Sequence, residues 1–221
     1  MRPVSLLHPP YFYWDQDDAG RLGPPRRRAG VRETDRTVVT VLVAILLGVP
    51  PLPPSVHPWP IGTGPGFRLP AAPAAVLAGE PVGRFRCERG GSRFGAHIEL
   101  FVRRRVLIVP AGIGVARPWR EHLARLTPGG CTYPARTLEP TGVIEIRRGA
   151  PLTLGDLFRI WGQTLGSRRI AGFRGAVLAF VGGKRRRGDP ATIPLTRHAQ
   201  IVLELGGYVA PHPTYRFAHG L

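Results

Sequence analysis

Residues 152–165, LTLGDLFRIWGQTL, decide how the rest of the chain is read. Thr153 and Asp156 stand at the spacing where an N-cap hydroxyl and an N3 carboxylate cap each other's backbone N–H groups. Leu154, Leu157, Phe158 and Trp161 follow at i, i+3, i+4 and i+7, which makes one apolar stripe of a helix. Gly162 ends it, because glycine enters the left-handed conformation of a helix C-terminus without steric cost. So short a helix must bury its stripe against something else, and the flanking sequence supplies strands.

On the N-terminal side, residues 96–102 and 106–109 are aliphatic and aromatic runs joined by a turn through Arg103, Arg104 and Arg105. Pro110, Gly112 and Gly114 make a further turn, and residues 119–126 read as a short helix. Residues 132–138 and 142–147 form a hairpin around Glu139-Pro140. On the C-terminal side, residues 176–181 read as a strand. Gly182-Gly183 is a two-residue hairpin turn, and the return strand begins with Lys184, Arg185, Arg186 and Arg187. Asp189-Pro190 turns again, and residues 200–205 form the last strand. From Gly206 the sequence is rich in proline and aromatic residues. Strands, one central helix and more strands give an α+β domain, a small mixed sheet packed on one helix in a β-grasp-like arrangement.

This folded domain is expected over residues 82–221. Before it, residues 1–37 read as a disordered basic and aromatic extension, with Tyr11, Phe12, Tyr13 and Trp14 followed by Arg26, Arg27 and Arg28. The apolar run from Val38 to Val49 (VVTVLVAILLGV) is too short for a comfortable membrane span of about 20 residues. It suits the hydrophobic region of an export signal, or an anchor. The stretch before it is long for a signal, so initiation at Val31 is an alternative start. Ala72-Pro73-Ala74 has the small-x-small form of a cleavage site but lies far downstream. Residues 50–81, dominated by Pro, Gly and Ala, read as a linker. The expectation is an extracytoplasmic protein, secreted or membrane-associated through residues 38–49.

Composition narrows the class. Of 221 residues, 29 are Gly and 25 are Pro, which excludes a long coiled coil and favours short elements with many turns. The formal net charge is +17, and the ordinary inference is a polyanion partner. However, Lys184 is the only lysine, and a chain this arginine-skewed and rich in Ala, Gly and Pro has the signature of GC-rich codon usage. Nucleic acid is therefore the weaker reading of the charge. Arg103, Arg104 and Arg105, with Lys184, Arg185, Arg186 and Arg187, fall at two hairpin tips and would form an anion patch if the tips shared an edge of the sheet. Two separate solvated turns are the plainer alternative.

The chain has two cysteines, Cys87 and Cys131. In an exported domain an even count favours a disulfide. Neither cysteine lies in a C-x-x-C, so zinc and redox motifs are unsupported.

Several segments form an ordered series: His97 with Phe101-Val102, VPAGIG at 109–114, Cys131, TGVIEI at 141–146, the helix at 152–165, and GDPATIPLTRH at 188–198. The series resembles an uncharacterised family of predicted exported or membrane-anchored bacterial proteins, over roughly residues 82–221. The resemblance implies fold and location, with no activity attached. Relatives carry H-x-H-x-H before the first strand's F-V, and C-x-x-x-x-H-T-H-D-x-x-G-V-I-H later. So many imidazoles would suit a transition metal. Here the first array reads Arg93, Gly95, His97. The second reads Arg136, Leu138, Glu139, with Glu145 at the last position. His97 and Glu145 (with Glu99 or Glu139) remain as a weak metal alternative.

The favoured expectation is instead a metal-free polar cluster of His97, Arg136, Glu139 and Glu145, with Arg136 supplying the positive charge and pairing with Glu145 or Glu139. Strand alternation puts His97 and Glu99 on one face. His198, before the last strand, reads as a structural histidine in a turn. No nucleophile motif, phosphate loop or cofactor signature is present. The sequence therefore points to a non-catalytic extracytoplasmic domain of unknown ligand. A degenerate metal protein and a basic polyanion binder are the alternatives.

Overall fold

The computed structural model describes Ile61 and residues 72–221. The extension, the run from Val38 to Val49 and most of the expected linker lie outside the described residues.

The longest strand, β1 (Arg93–Val102), organises the sheet. It turns through Arg103 and Arg104, both at positive φ (51° and 62°), into the short β2 (Arg105–Val106). Further along come β3 (Trp119–His122), β4 (Arg125–Pro128), β5 (Ala135–Arg136) and β6 (Val143–Arg147). After the α-helices α1 (Ala74–Ala78) and α2 (Leu154–Trp161) are placed, the chain continues as β7 (Leu165–Gly166), β8 (Arg169–Ile170), β9 (Phe173–Arg174), β10 (Val177–Val181), β11 (Lys184–Arg186) and β12 (Gln200–Leu205). The main sheet has the order β11-β10-β12-β1-β6-β5, with β2 also paired to β1. β1 and β12 are parallel, in register from His97 opposite Gln200 to Val102 opposite Leu205. The remaining ladders are antiparallel. The chain is thus a mixed α+β fold, mostly sheet with few helices.

Alternation along the strands sets the core. Ala96, Ile98, Leu100 and Val102 of β1 share a buried cluster with Ile144 and Ile146 of β6 and Ile201, Leu203 and Leu205 of β12. Leu154, Leu157, Phe158, Ile160 and Trp161 of α2 belong to the same cluster, and Trp161 is fully buried. The helix begins and ends as its sequence demands. Asp156 N–H donates to Thr153 Oγ1 at 3.3 Å, and Thr153 N–H donates back to Asp156 Oδ2 at 3.0 Å. Gly162 takes φ 73° and closes on the carbonyls of Phe158 and Arg159.

Three expectations are corrected. Residues 119–126 are not a helix: β3 and β4 form a hairpin whose turn residues, Leu123 and Ala124, sit at φ 48° and 61°. The apolar residues of this stretch do not share a buried helix face. Leu123 is exposed, whereas Leu126 packs with Val115 and Leu138 and its N–H donates to Leu138 O at 2.8 Å. The ordered domain begins before Val82. Within the stretch read as linker, α1 buries Val76, and Ile61 donates to Val106 O and accepts from Ile108 N–H. Ala72-Pro73-Ala74 belongs to this domain, with Ala72 buried and Pro73 packed on Gly162. Finally, β2 is shorter than residues 106–109, although Leu107 N–H still reaches Leu100 O at 2.7 Å.

Candidate functional site

The candidate residues occupy the sheet face opposite α2. β1 places Gly95, His97, Glu99 and Phe101 there, since the intervening residues enter the core. β6 adds Val143 and Glu145 by the same alternation, with Glu145 in register with Gly95 and Val143 with His97. β5 brings Arg136 directly opposite Glu145.

The expected pairing of Arg136 is present. Its Nε and Nη2 donate to Glu145 Oε2 at 2.8 and 2.6 Å, and both side chains are mostly buried. The other expected members share the face without joining that pair. Glu139 pairs with Arg125 instead. His97 is buried and engaged at both nitrogens: Nδ1 lies 2.7 Å from Gln200 Oε1, and Nε2 lies 2.9 Å from Thr141 O. Nε2–H donates to that carbonyl. Nδ1 then either donates too, in an imidazolium, or accepts from a Gln200 amide turned over, the Gln200 Nε2 being otherwise unpartnered. Both His97 nitrogens are thus occupied, whereas on Glu145 only Oε2 is engaged by Arg136. No group of three or more His, Cys, Asp or Glu able to hold a metal occurs among the described residues.

Arg93, at the start of β1, has a role the sequence did not disclose. Its buried guanidinium donates to Thr132 Oγ1 at 2.9 Å, Pro134 O and Tyr133 O at 3.0 Å, and Glu145 O at 3.2 Å. Burial, reinforced by the charges of Arg136 and Arg147, lowers its pKa to about 10, so it stays cationic at neutral pH. The residue type hinted at this: arginine has five donors in a rigid fork and suits clustered carbonyls.

The second unforeseen feature is the segment 206–221, which covers this face. Tyr215 stacks on His97 with ring centroids 3.8 Å apart, and Phe217 stacks on His198 at 4.7 Å. Phe217 also lies where a side chain at Gly95 would stand; an added Cβ there would come within 2.6 Å of its ring. His198 Nε2 contacts Leu221 O at 2.7 Å, which makes it the turn histidine the sequence suggested. His212 Nδ1 lies 2.9 and 3.0 Å from the two Glu99 oxygens. Val209 is buried with Phe101, Phe180 and Val202, a second small core on this side of the sheet. Glu204 is buried beside it, in register with Phe101 and Leu178, and neither of its oxygens has a hydrogen-bond partner. Burial raises its pKa to about 7; the nearby Val209 N–H pulls the other way without closing a hydrogen bond.

Where β6 and β2 leave the middle of β1 uncovered, a cavity of about 230 Å³ opens. Val106, Val109 and Pro140 form apolar walls, and His97, Glu99 and His212 are its ionisable lining. It is a small recess whose one carboxylate, Glu99, is already contacted by His212 Nδ1.

The two arginine-rich turns do not meet at their tips. Val102 is level with Leu205 and so with Val177 at the start of β10, whereas Val181 and Lys184 are level with Ile201. The tips therefore lie at opposite ends of the strands, about 13 Å apart along them. Arg103, Arg104 and Arg105 are at one end and Lys184 and Arg185 at the other, with Arg186 and Arg187 running back between. The shared-edge patch is therefore not formed, and the plainer alternative, two separate turns, is what is present.

Cys87 and Cys131 form the expected disulfide. No helix among the described residues is long and apolar enough to cross a membrane. Comparison of the chain with protein-family models, with curated proteins and with solved structures finds no match in any of the three.

Proposed function

We propose that this is a non-catalytic extracytoplasmic binding domain, released from or tethered by the apolar run from Val38 to Val49. The observation that carries the proposal is the Cys87–Cys131 disulfide, because such bonds persist in oxidising compartments and are rare in the cytosol. The engaged state of the polar face supports the non-catalytic part. Arg136–Glu145 and Arg125–Glu139 each engage one carboxylate oxygen, and both His97 nitrogens are occupied, which disfavours acid–base or metal chemistry at this face. The resemblance to exported or anchored bacterial proteins agrees with this reading. In it, the fold is a β-grasp-like sheet wrapped on α2. What supports that is the order of its long strands: β6 and β1 before the helix, β10 and β12 after it, with the first and last of the set parallel at the centre.

A fusion of residues 1–80 to a reporter active only outside the cytoplasm is expected to give signal, and deletion of residues 38–49 to abolish it. A silent intact fusion overturns the location. Metal analysis of the purified full chain checks the remaining part: the Arg136–Glu145 pair predicts no stoichiometric zinc or copper. Tight binding abolished by His97→Ala would replace this reading with a metal protein.

A further inference from the structure

A cluster of unpartnered charge lies away from the polar face, on the meander β7-β8-β9. Its strands are joined by two-residue turns, Ser167-Arg168 and Ala171-Gly172. The first turn is pinned from outside: Ser167 O accepts from Val177 N–H at 2.9 Å, and Arg168 O accepts from Gly175 N–H at 3.1 Å. Its backbone is thereby fixed to the beginning of β10 while its side chains stay exposed. Ser167, Arg168, Arg169 and Arg174 line one open cleft of about 680 Å³. Asp189 is the only carboxylate lining it, and one Asp189 oxygen is occupied by Ala191 N–H at 3.0 Å.

The placement of its charges separates this cleft from ordinary solvated arginine. Arg169 and Arg174 stand directly opposite each other in the β8–β9 ladder, where like charges destabilise a sheet. None of the three guanidiniums has an acceptor among the described residues. Near the polar face and the helix, by contrast, Arg84, Arg125, Arg136 and Arg147 each meet a carboxylate. The fold therefore lines one cleft with three arginines against one partly occupied carboxylate.

We propose that this cleft binds a phosphate-class oxyanion, free or as the phosphodiester headgroup of a lipid, through Arg168, Arg169 and Arg174 with the Ser167 hydroxyl as a further donor. Planar guanidinium forks match the tetrahedral oxygens of phosphate in paired, charge-assisted hydrogen bonds. A bound anion between them also converts the Arg169–Arg174 repulsion into a shared attraction. The inference stands on this geometry and does not rest on the extracytoplasmic reading.

The test titrates the full chain at low ionic strength with inorganic pyrophosphate. In parallel, the chain is sedimented with phosphatidylglycerol-containing vesicles, with pure phosphatidylcholine vesicles as reference. Saturable binding is expected, weakened about tenfold by Arg169→Ala and by Arg174→Ala and unchanged by Arg120→Ala, an exposed arginine on the β3–β4 hairpin. Without ligand, both cleft variants should melt at or above the parent temperature, because each relieves the like-charge pair; this also shows that they fold. Pyrophosphate binding without vesicle binding assigns a free phosphate-class anion. Vesicle sedimentation that pyrophosphate reverses assigns the headgroup. Absence of saturable binding in both arms, or equal weakening by Arg120→Ala, overturns the site. None of these outcomes moves with the export reporter.

Discussion

Both oxygens of Glu204 are buried without a partner, flanked across the strands by Phe101 and Leu178 and along β12 by Val202. Burial penalises the charged form, so the folded-state pKa of about 7 lies well above that of an unfolded glutamate. The native state then holds a proton that the unfolded state has released. Stability from this group is complete below the unfolded value near 4.5, falls as pH rises, and is gone above about 7. A shift of this size corresponds to about 3 kcal/mol. Glu204→Leu is expected to recover about that much at pH 8 and much less at pH 4.5, as measured by urea unfolding at the two pH values. An equal gain at both would mean that packing, not ionisation, sets the cost. Arg93 is the opposite case, a buried ion with four acceptors. Arg93→Ala should cost about 3 kcal/mol, because three carbonyls and a hydroxyl lose their donor. Arg93→Lys should recover less than half of it, since a point charge cannot span the fork. Full recovery by lysine would show that charge alone matters there.

At the scale of elements, α2 was legible because both of its ends are marked chemically and its stripe has helical period. The same residues that cap it in sequence cap it in space, and Arg84 adds a bond to Asp156 at 3.0 Å. Trp161→Ala should cost about 3–5 kcal/mol, read by chemical denaturation, because a fully buried indole leaves a cavity. A loss under about 1 kcal/mol would contradict its burial. The Gly182-Gly183 hairpin and β12 were equally legible, the first from residues that accept positive φ and the second from an unbroken strand pattern. The β3–β4 hairpin was not. Its turn puts Leu123 and Ala124 in a conformation that turn rules reserve for Gly, Asn and Asp, so the local signal favoured a helix. α1 was hidden because Ala, Pro and Gly around Val76 look like a linker, and its ends are held by residues distant in sequence, Pro73 against Gly162 and Gly79 beside Cys131. In the candidate site, alternation alone put His97 and Glu145 on one face. The engagement of His97 by Gln200 and Thr141 depends on residues more than forty positions away, which no local pattern encodes.

At the scale of the whole molecule, one covalent bond joins the first part of the domain to its middle. Cys87 and Cys131 are 44 residues apart in sequence, and beside them Glu88 and Thr132 exchange backbone hydrogen bonds at 3.1 and 2.9 Å. Closing a loop of that length lowers the entropy of the unfolded chain by an amount worth about 4 kcal/mol. Domains of this size have only about 5–15 kcal/mol of stability in total. Two outcomes follow from that comparison. In protein recovered under non-reducing conditions from its native compartment, both thiols should resist alkylation until a reductant is added. The Cys87→Ser/Cys131→Ser double variant should unfold at a denaturant concentration lower by the equivalent of about 4 kcal/mol, with an unchanged or larger denaturant slope because its unfolded chain is less compact. The neighbouring Glu88–Thr132 bonds cannot substitute, since they vanish on unfolding and leave the unfolded ensemble unrestrained. A loss below about 1 kcal/mol in the double variant, or free alkylation of the folded native protein, would remove the disulfide from the account of stability and, with it, the main support for an extracytoplasmic location.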